Sequence, residues 1–168
     1  MTYLIIGNIL SFISVVFLAL STQKNDKHQI MLYQVFDCLF TALANIVLGG
    51  YSGAVVTLIG VLRNLLSYYD KMTRSAAIWL SVLMVVIGIA VNTHGIFGFL
   101  PIIASVQYTL YLGFCFKKAS GVKLALAFNL AIWVIYNLAI LAIPGFITDA
   151  VIFVLSVIGY FRSLKSEK

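Results

Sequence analysis

Four side chains with chemical potential fall inside stretches that are otherwise almost wholly apolar: Arg63, Asp37, Asp149 and Trp133. A charge at membrane depth is expensive, so it is normally paired or turned toward a polar cavity. Asp37 and Arg63 suggest one such pairing. Each is expected roughly 9–10 Å in from the same end of neighbouring helices, at about 1.5 Å of rise per residue. An intramembrane ion pair between them would lock a helical hairpin, with a snorkelling arginine as the other structural reading. The functional reading is a gate, or an anchoring charge for an anionic solute. Asp149 lies close to the start of the last apolar stretch. There it would cap the helix beside Pro144-Gly145, where a negative charge suits the dipole, or act as a proton site.

Neutral polar groups gather around the expected midplane. Trp133, Gln107, Ser11 and Thr41 are central in their stretches, Asn64 lies about one turn away, and Asn45, Asn129 and Asn137 lie within two turns. An indole with several amides and hydroxyls suits a neutral polar solute with a flat or ring face, such as a sugar or a nucleoside-like compound. The competing reading is that the amides bond neighbouring helices and the indole fills the bundle. Covalent chemistry has little footing. His28 falls in a loop and His94 at the opposite surface without carboxylate neighbours. Neither a phosphate-cradling glycine loop nor a nucleophile beside a base is visible. Cys38 and Cys115 both sit in apolar segments and suggest neither a disulfide framework nor a zinc site. The expectation is a protein that is not an enzyme and carries no metal or cofactor.

The elements that must position these residues are set by composition. The chain has 168 residues, 62% of them hydrophobic and only 10% charged. That length accommodates seven spans of about 18–20 residues with minimal loops. The apolar stretches run about 3–20, 30–48, 52–69, 76–92, 96–116, 123–142 and 145–162. The first has no positive charge before Tyr3 and reads as a retained span, not a cleaved leader. Ten of the 11 Lys and Arg residues fall in alternate gaps and the tail: Lys24 and Lys27, Lys71 and Arg74, Lys117, Lys118 and Lys123, then Arg162, Lys165 and Lys168. The gaps at Gly49-Gly50-Tyr51, at Asn92-Thr93-His94-Gly95 and at Ile143-Pro144-Gly145 carry none. By the positive-inside rule the N-terminus lies outside and the C-terminus in the cytoplasm. The net charge of +6 is scattered over loops without the aromatic interleaving of a nucleic-acid surface. The partners expected are the lipid bilayer and a small polar solute, with no nucleic acid. Self-association is left open.

An offset of 92 residues lays one helical hairpin on another: Leu32 meets Leu124, Phe36 meets Phe128, Asn45 meets Asn137, Gly53 meets Gly145 and Tyr68 meets Tyr160. The expected fold is therefore an all-α membrane protein of seven transmembrane helices. Two parallel three-helix-bundle repeats, residues 1–75 and 95–168, are joined by a linker helix at 76–94 and followed by a short cytoplasmic tail. Parallel repeats of this kind hold substrate near the bilayer midplane in known transporters. Gly7, Gly60, Gly88, Gly98 and Gly113 are expected to allow close helix packing.

This three-plus-one-plus-three plan is similar to that of the SWEET sugar transporters and the wider PQ-loop group. More specifically, the chain resembles the YgjV-type bacterial inner-membrane proteins. Three stretches carry that resemblance: Tyr51-Ser52-Gly53-Ala54 with Leu62-Arg63-Asn64, Phe99-Leu100-Pro101-Ile102-Ile103, and Trp133-Val134-Ile135-Tyr136-Asn137. The resemblance implies a location in the bacterial inner membrane and suggests Pro101 as a hinge. The chain departs from the PQ-loop pattern in lacking a Pro-Gln dipeptide, and its first span has no proline.

Overall fold

The computed structural model describes residues 2–48, 50–92, 95–115, 119–139 and 143–166, and they are almost entirely helical. Seven α-helices follow in order: α1 Thr2–Gln23, α2 Lys27–Leu48, α3 Tyr51–Tyr68, α4 Arg74–Ala90, α5 Phe99–Cys115, α6 Ala119–Ala139 and α7 Ile143–Ser166. A short 3-10 turn, Gly95–Gly98, leads into α5. Local signals set several of these ends. The Asp26 carboxylate accepts from the Gln29 amide at 2.9 Å, and the Thr73 hydroxyl accepts from the Ala76 amide at 3.1 Å. Both are N-caps that satisfy otherwise orphaned donors. At the end of α3 the Lys71 amide bonds the Leu66 carbonyl and the Asp70 amide bonds the Ser67 carbonyl. This is a Schellman closure, with Asp70 at φ 55° where glycine is usual.

Among the described residues, four segments are long and apolar enough to cross a membrane: Ile5–Gln23, Lys27–Leu48, Gly95–Cys115 and Phe146–Lys165. Arg74–Ala90 and Ser120–Tyr136 are shorter apolar helices. A 22-residue helix such as α1 is about 33 Å long, close to the ~30 Å of a bilayer's hydrocarbon. Polarity is arranged inside out relative to a water-soluble protein. Large apolar side chains such as Phe12, Trp79, Val86, Phe128 and Phe161 face outward, while Ser14, Gln34, Asn64, Thr109 and Ser156 are buried. Hydrocarbon accepts the outer surface, and the polar groups pack within, most of them hydrogen-bonded, although Ser156 Oγ and Gln34 Nε2 have no partner among the described residues.

The packing treats the two halves alike. Helix α1 packs on α2 and α2 on α3; α5 packs on α6 and α6 on α7. Between the halves, α3 meets α5 and α1 meets α7, with a lighter contact between α2 and α6. Exchanging α1, α2 and α3 for α5, α6 and α7 reproduces this set, as a two-fold relation requires. Helix α4 packs on α3 and α5.

The basic gaps meet at one end of the bundle. Lys27 Nζ lies 2.7 Å from Asp70, Arg162 donates to Gln23 at 3.2 Å, and Lys123 Nζ donates to Asn25 at 3.4 Å. Just inside this end, Leu18, Ile30, Met31, Leu112, Val122 and Leu126 belong to one buried cluster. Gly159 of α7 lets α1 approach closely here: a methyl built on it would stand 2.7 Å from the Thr22 carbonyl oxygen.

Four expectations need correction. Lys123 is not in a loop but within α6 and buried, because α6 begins at Ala119; its ammonium also reaches the Gly159 carbonyl at 3.4 Å. Pro144 and Gly145 fall within α7 and not in a gap between helices. Asp149 is then the seventh residue of α7, too deep to be its N-cap. Pro101 is the third residue of α5, in its first turn after the 3-10 segment, so it does not break a helix interior as a hinge proline would. Thr93, His94, Lys117, Lys118 and Lys168 lie outside the described residues.

Candidate functional site

A stripe on α2 starts the site. Gln34, Asp37, Cys38, Thr41 and Asn45 recur at three- and four-residue intervals, which places them on one helix face. That face borders a cavity of about 210 Å³. Helix α1 adds Ser11 and Ser14, α3 adds Thr57, Gly60 and Arg63, and α5 adds Ser105 and Tyr108. The remaining wall comes from Leu126, Asn129, Leu130 and Trp133 of α6 and from Thr148 and Asp149 of α7. Six of the seven helices line the cavity, and α4 contributes nothing.

The lining itself repeats. Under the same offset Gln34 corresponds to Leu126, Asp37 to Asn129, Cys38 to Leu130 and Thr41 to Trp133, and all eight residues line the cavity. Val56 corresponds to Thr148 and Thr57 to Asp149, again all four in the lining. Helices α2 and α6 thus turn equivalent faces toward one space, and α3 and α7 share two lining positions, while α1 and α5 line it at different ones.

Asp37 is held by a hydroxyl relay. Ser14 Oγ donates to Asp37 Oδ1 at 2.6 Å, and the Thr41 hydroxyl stands 2.6 Å from Ser14 Oγ and 3.5 Å from the same carboxylate oxygen. Both contacts fall on Oδ1, so Oδ2 takes no hydrogen bond from a described residue. Arg63 is organised differently. Its Nε donates to Asn64 Oδ1 at 2.9 Å, and its guanidinium lies 4.6 Å over the Tyr108 ring. That geometry is a desolvated cation–π contact. Tyr108 in turn donates to Gln34 Oε1 at 2.7 Å.

Asp37 and Arg63 therefore share the cavity, but the expected ion pair is not made. Among the described residues the ion pairs within 4.0 Å are those of Asp70 with Lys27 and His28. The reason is local: the serine and threonine engage the carboxylate from α1 and α2, while Asn64 and Tyr108 draw the guanidinium aside.

The other expected site residues divide. Trp133, Thr41, Asn45, Asn129 and Ser11 line the cavity, as do Asp37, Arg63 and Asp149. Trp133 also packs edge-on against Tyr136, with ring centroids 5.7 Å apart. Asn64 does not line it. Fully buried, it donates to the Gln34 carbonyl at 3.1 Å and to Cys38 Sγ at 3.4 Å, and so positions Arg63 from behind. Gln107 also stands off the lining. Successive residues turn by about 100° on a helix, so the face that presents Ser105 and Tyr108 carries Gln107 away. Its Oε1 is buried without a hydrogen-bond partner among the described residues. The side chain of Asn137 lies outside the described residues.

Ser14, Gln34, Thr57, Tyr108 and Thr148 were not singled out in the sequence. For Gln34 a signal existed, since it precedes Asp37 and Cys38 by one helical turn on the same stripe. Among the described residues no group of three or more His, Cys, Asp or Glu side chains could hold a metal ion.

The fold and cavity together define a helical membrane protein with a cavity inside the bundle that carries charged and polar side chains. The chain belongs to the Imp-YgjV family of bacterial inner membrane proteins, whose model matches residues 5–167. No curated protein and no solved structure matches it.

Proposed function

We propose that the protein is a small-solute transporter or facilitator of the bacterial inner membrane, with no covalent chemistry of its own. The supporting observation is the cavity, lined at equivalent positions by both halves and avoided by α4. Its volume is about 210 Å³. A small polar solute, neutral overall, suits that space, with Trp133 offering it a flat apolar face. The basic end faces the cytoplasm in this reading, with the N-terminus outside and the C-terminus inside. The buried cluster around Ile30, Met31 and Val122 then closes the cytoplasmic end. The plan is like that of the SWEET and PQ-loop transporters, with residues 76–94 as the linker between repeats.

A membrane scaffold that only binds a partner is the alternative, and it expects a fully packed interior. Purified protein in liposomes separates the two. The transporter reading expects saturable uptake of at least one solute from a panel of sugars, nucleosides and amino acids, weakened by Trp133→Ala. Absence of flux for the whole panel, with the protein folded and inserted, contradicts it.

A further inference from the structure

The polar atoms left without protein partners divide by chemistry. Gln34 is only 2% exposed and lines the cavity, yet its Nε2 donates to nothing among the described residues. Arg63 is 5% exposed and also lines the cavity. Among the described residues only its Nε makes a hydrogen bond, to Asn64, and both terminal nitrogens have donors left for a solute. Gln34 and Arg63 are linked through Tyr108, whose hydroxyl bonds the amide oxygen and whose ring lies under the guanidinium. This corner is therefore rich in unused N–H groups and carries a positive charge. Unmade hydrogen bonds in a buried site are costly, and those of a guanidinium match a carboxylate in geometry.

Unused acceptor capacity lies beside it. Asp37 Oδ2 takes no hydrogen bond from a described residue, while Oδ1 holds Ser14 and Thr41. Opposite charges in one low-dielectric space attract strongly, yet this pair stays more than 4.0 Å apart. Each is held back by its own partners, so the space between them suits a group that is itself a dipole.

We propose that the cavity binds a small zwitterion of the α-amino-acid type, its carboxylate on Arg63 and the Gln34 amide and its ammonium on Asp37 Oδ2. A carboxylate without an ammonium would meet Asp37 and Asp149, both in the lining. A cation without a carboxylate would meet Arg63. The zwitterion satisfies both corners with charge-assisted bonds and leaves the net charge of the cavity unchanged. It is neutral overall, and this inference rests on the solute-binding reading of the cavity.

The second half indicates which substitutions the fold should accept. Leu126 stands where Gln34 does, and Asn129 where Asp37 does, on the same face of α6. Gln34→Leu and Asp37→Asn thus copy residues already used at equivalent positions.

The test uses the full chain, in detergent for thermal unfolding and in liposomes for uptake. The probes are glycine, alanine and serine, with propionate and glycerol as partners lacking the ammonium or both charges. The expected result is a raised Tm and saturable uptake with at least one amino acid, and no competition from propionate or glycerol. Gln34→Leu and Asp37→Asn should each weaken the amino-acid response by about tenfold or more while helicity is retained. If either variant loses its fold, the other decides. Uptake of glycerol or a sugar without any amino-acid response overturns the zwitterion but leaves transport standing. An amino-acid response unchanged in the folded variants overturns it too. Binding without flux supports the zwitterion and removes the transport reading. Neither binding nor flux for any probe or solute removes both.

Discussion

Asp37 and Asn129 hold the same position in the two halves of the molecule, 92 residues apart, and both face one cavity. The halves share a backbone plan but not a charge. Where the first half places a carboxylate anchored by α1, the second places an amide. The asymmetry gives the cavity distinct ends, which a site for an oriented solute needs.

The anchoring of Asp37 should be measurable as stability. Ser14→Ala removes the 2.6 Å donor to the carboxylate and the contact with Thr41. Side-chain hydrogen bonds between membrane helices average about 0.6 kcal/mol and reach about 1.7. Because this one ends on a carboxylate, a loss near the upper figure is expected in reversible unfolding in mixed micelles. A change within error would mean that the relay does not hold α1 to α2.

Asn64 should behave as a positioning residue and not as a ligand. Asn64→Ala strips the acceptor from Arg63 Nε and two donors from buried partners. Stability should fall by about 1–3 kcal/mol, the usual penalty for stranding buried polar groups. Solute affinity should fall along with it, since Arg63 loses its orientation. Full stability with lost binding would instead make Asn64 a direct contact.

Gly159→Ala tests how the halves meet. Its added methyl would stand 2.7 Å from the Thr22 carbonyl, so α7 and α1 must separate. Overpacking of this kind typically costs about 1–3 kcal/mol. A variant as stable as the parent would show that this contact is not tight.

Asp70 combines a backbone and a charge effect. It sits at φ 55°, where a non-glycine residue is disfavoured, and its carboxylate bonds Lys27. Asp70→Gly should relax the backbone and lose the ion pair, while Asp70→Ala loses the pair and keeps the strain. The glycine variant should be the more stable by about 1 kcal/mol. The hydrogen bond from Lys27 holds the Asp70 carboxyl below its usual value, with the charges of Lys27 and His28 adding to that. Protons therefore bind the unfolded chain more readily than the folded one. The stabilisation is present above the ordinary carboxylate value of 3.8 and is lost as pH falls below it. Because the group is exposed, the effect should be small, and acid unfolding of Asp70→Asn beside the parent would reveal it.

Much of this was legible in the sequence because hydrocarbon imposes a simple pattern. The apolar stretches located all seven helices. Trp133, Thr41, Asn45, Asn129 and Ser11 reached the cavity because depth alone brings polar residues of different spans together. Rotation about the helix axis was harder to read. Gln107 and Asn64 have suitable depth but point elsewhere, while Tyr108, the residue next to Gln107, is the one that lines the cavity. Lys123 misled for a different reason. A lysine near a helix end reads as a loop charge, and only the packing of Asn25 and Gly159 around it shows that it is buried.

Entry of solutes into the cavity lined by both halves is the expectation on which the proposed function turns. It is tested most directly by thiol accessibility in intact inner-membrane vesicles. Thr41→Cys, in a background of Cys38→Ser and Cys115→Ser, places the only thiol in the cavity lining. A small membrane-impermeant thiol reagent should modify this cysteine, and the transported solute should slow the reaction. A folded protein whose cysteine resists the reagent from both faces of the membrane would contradict it.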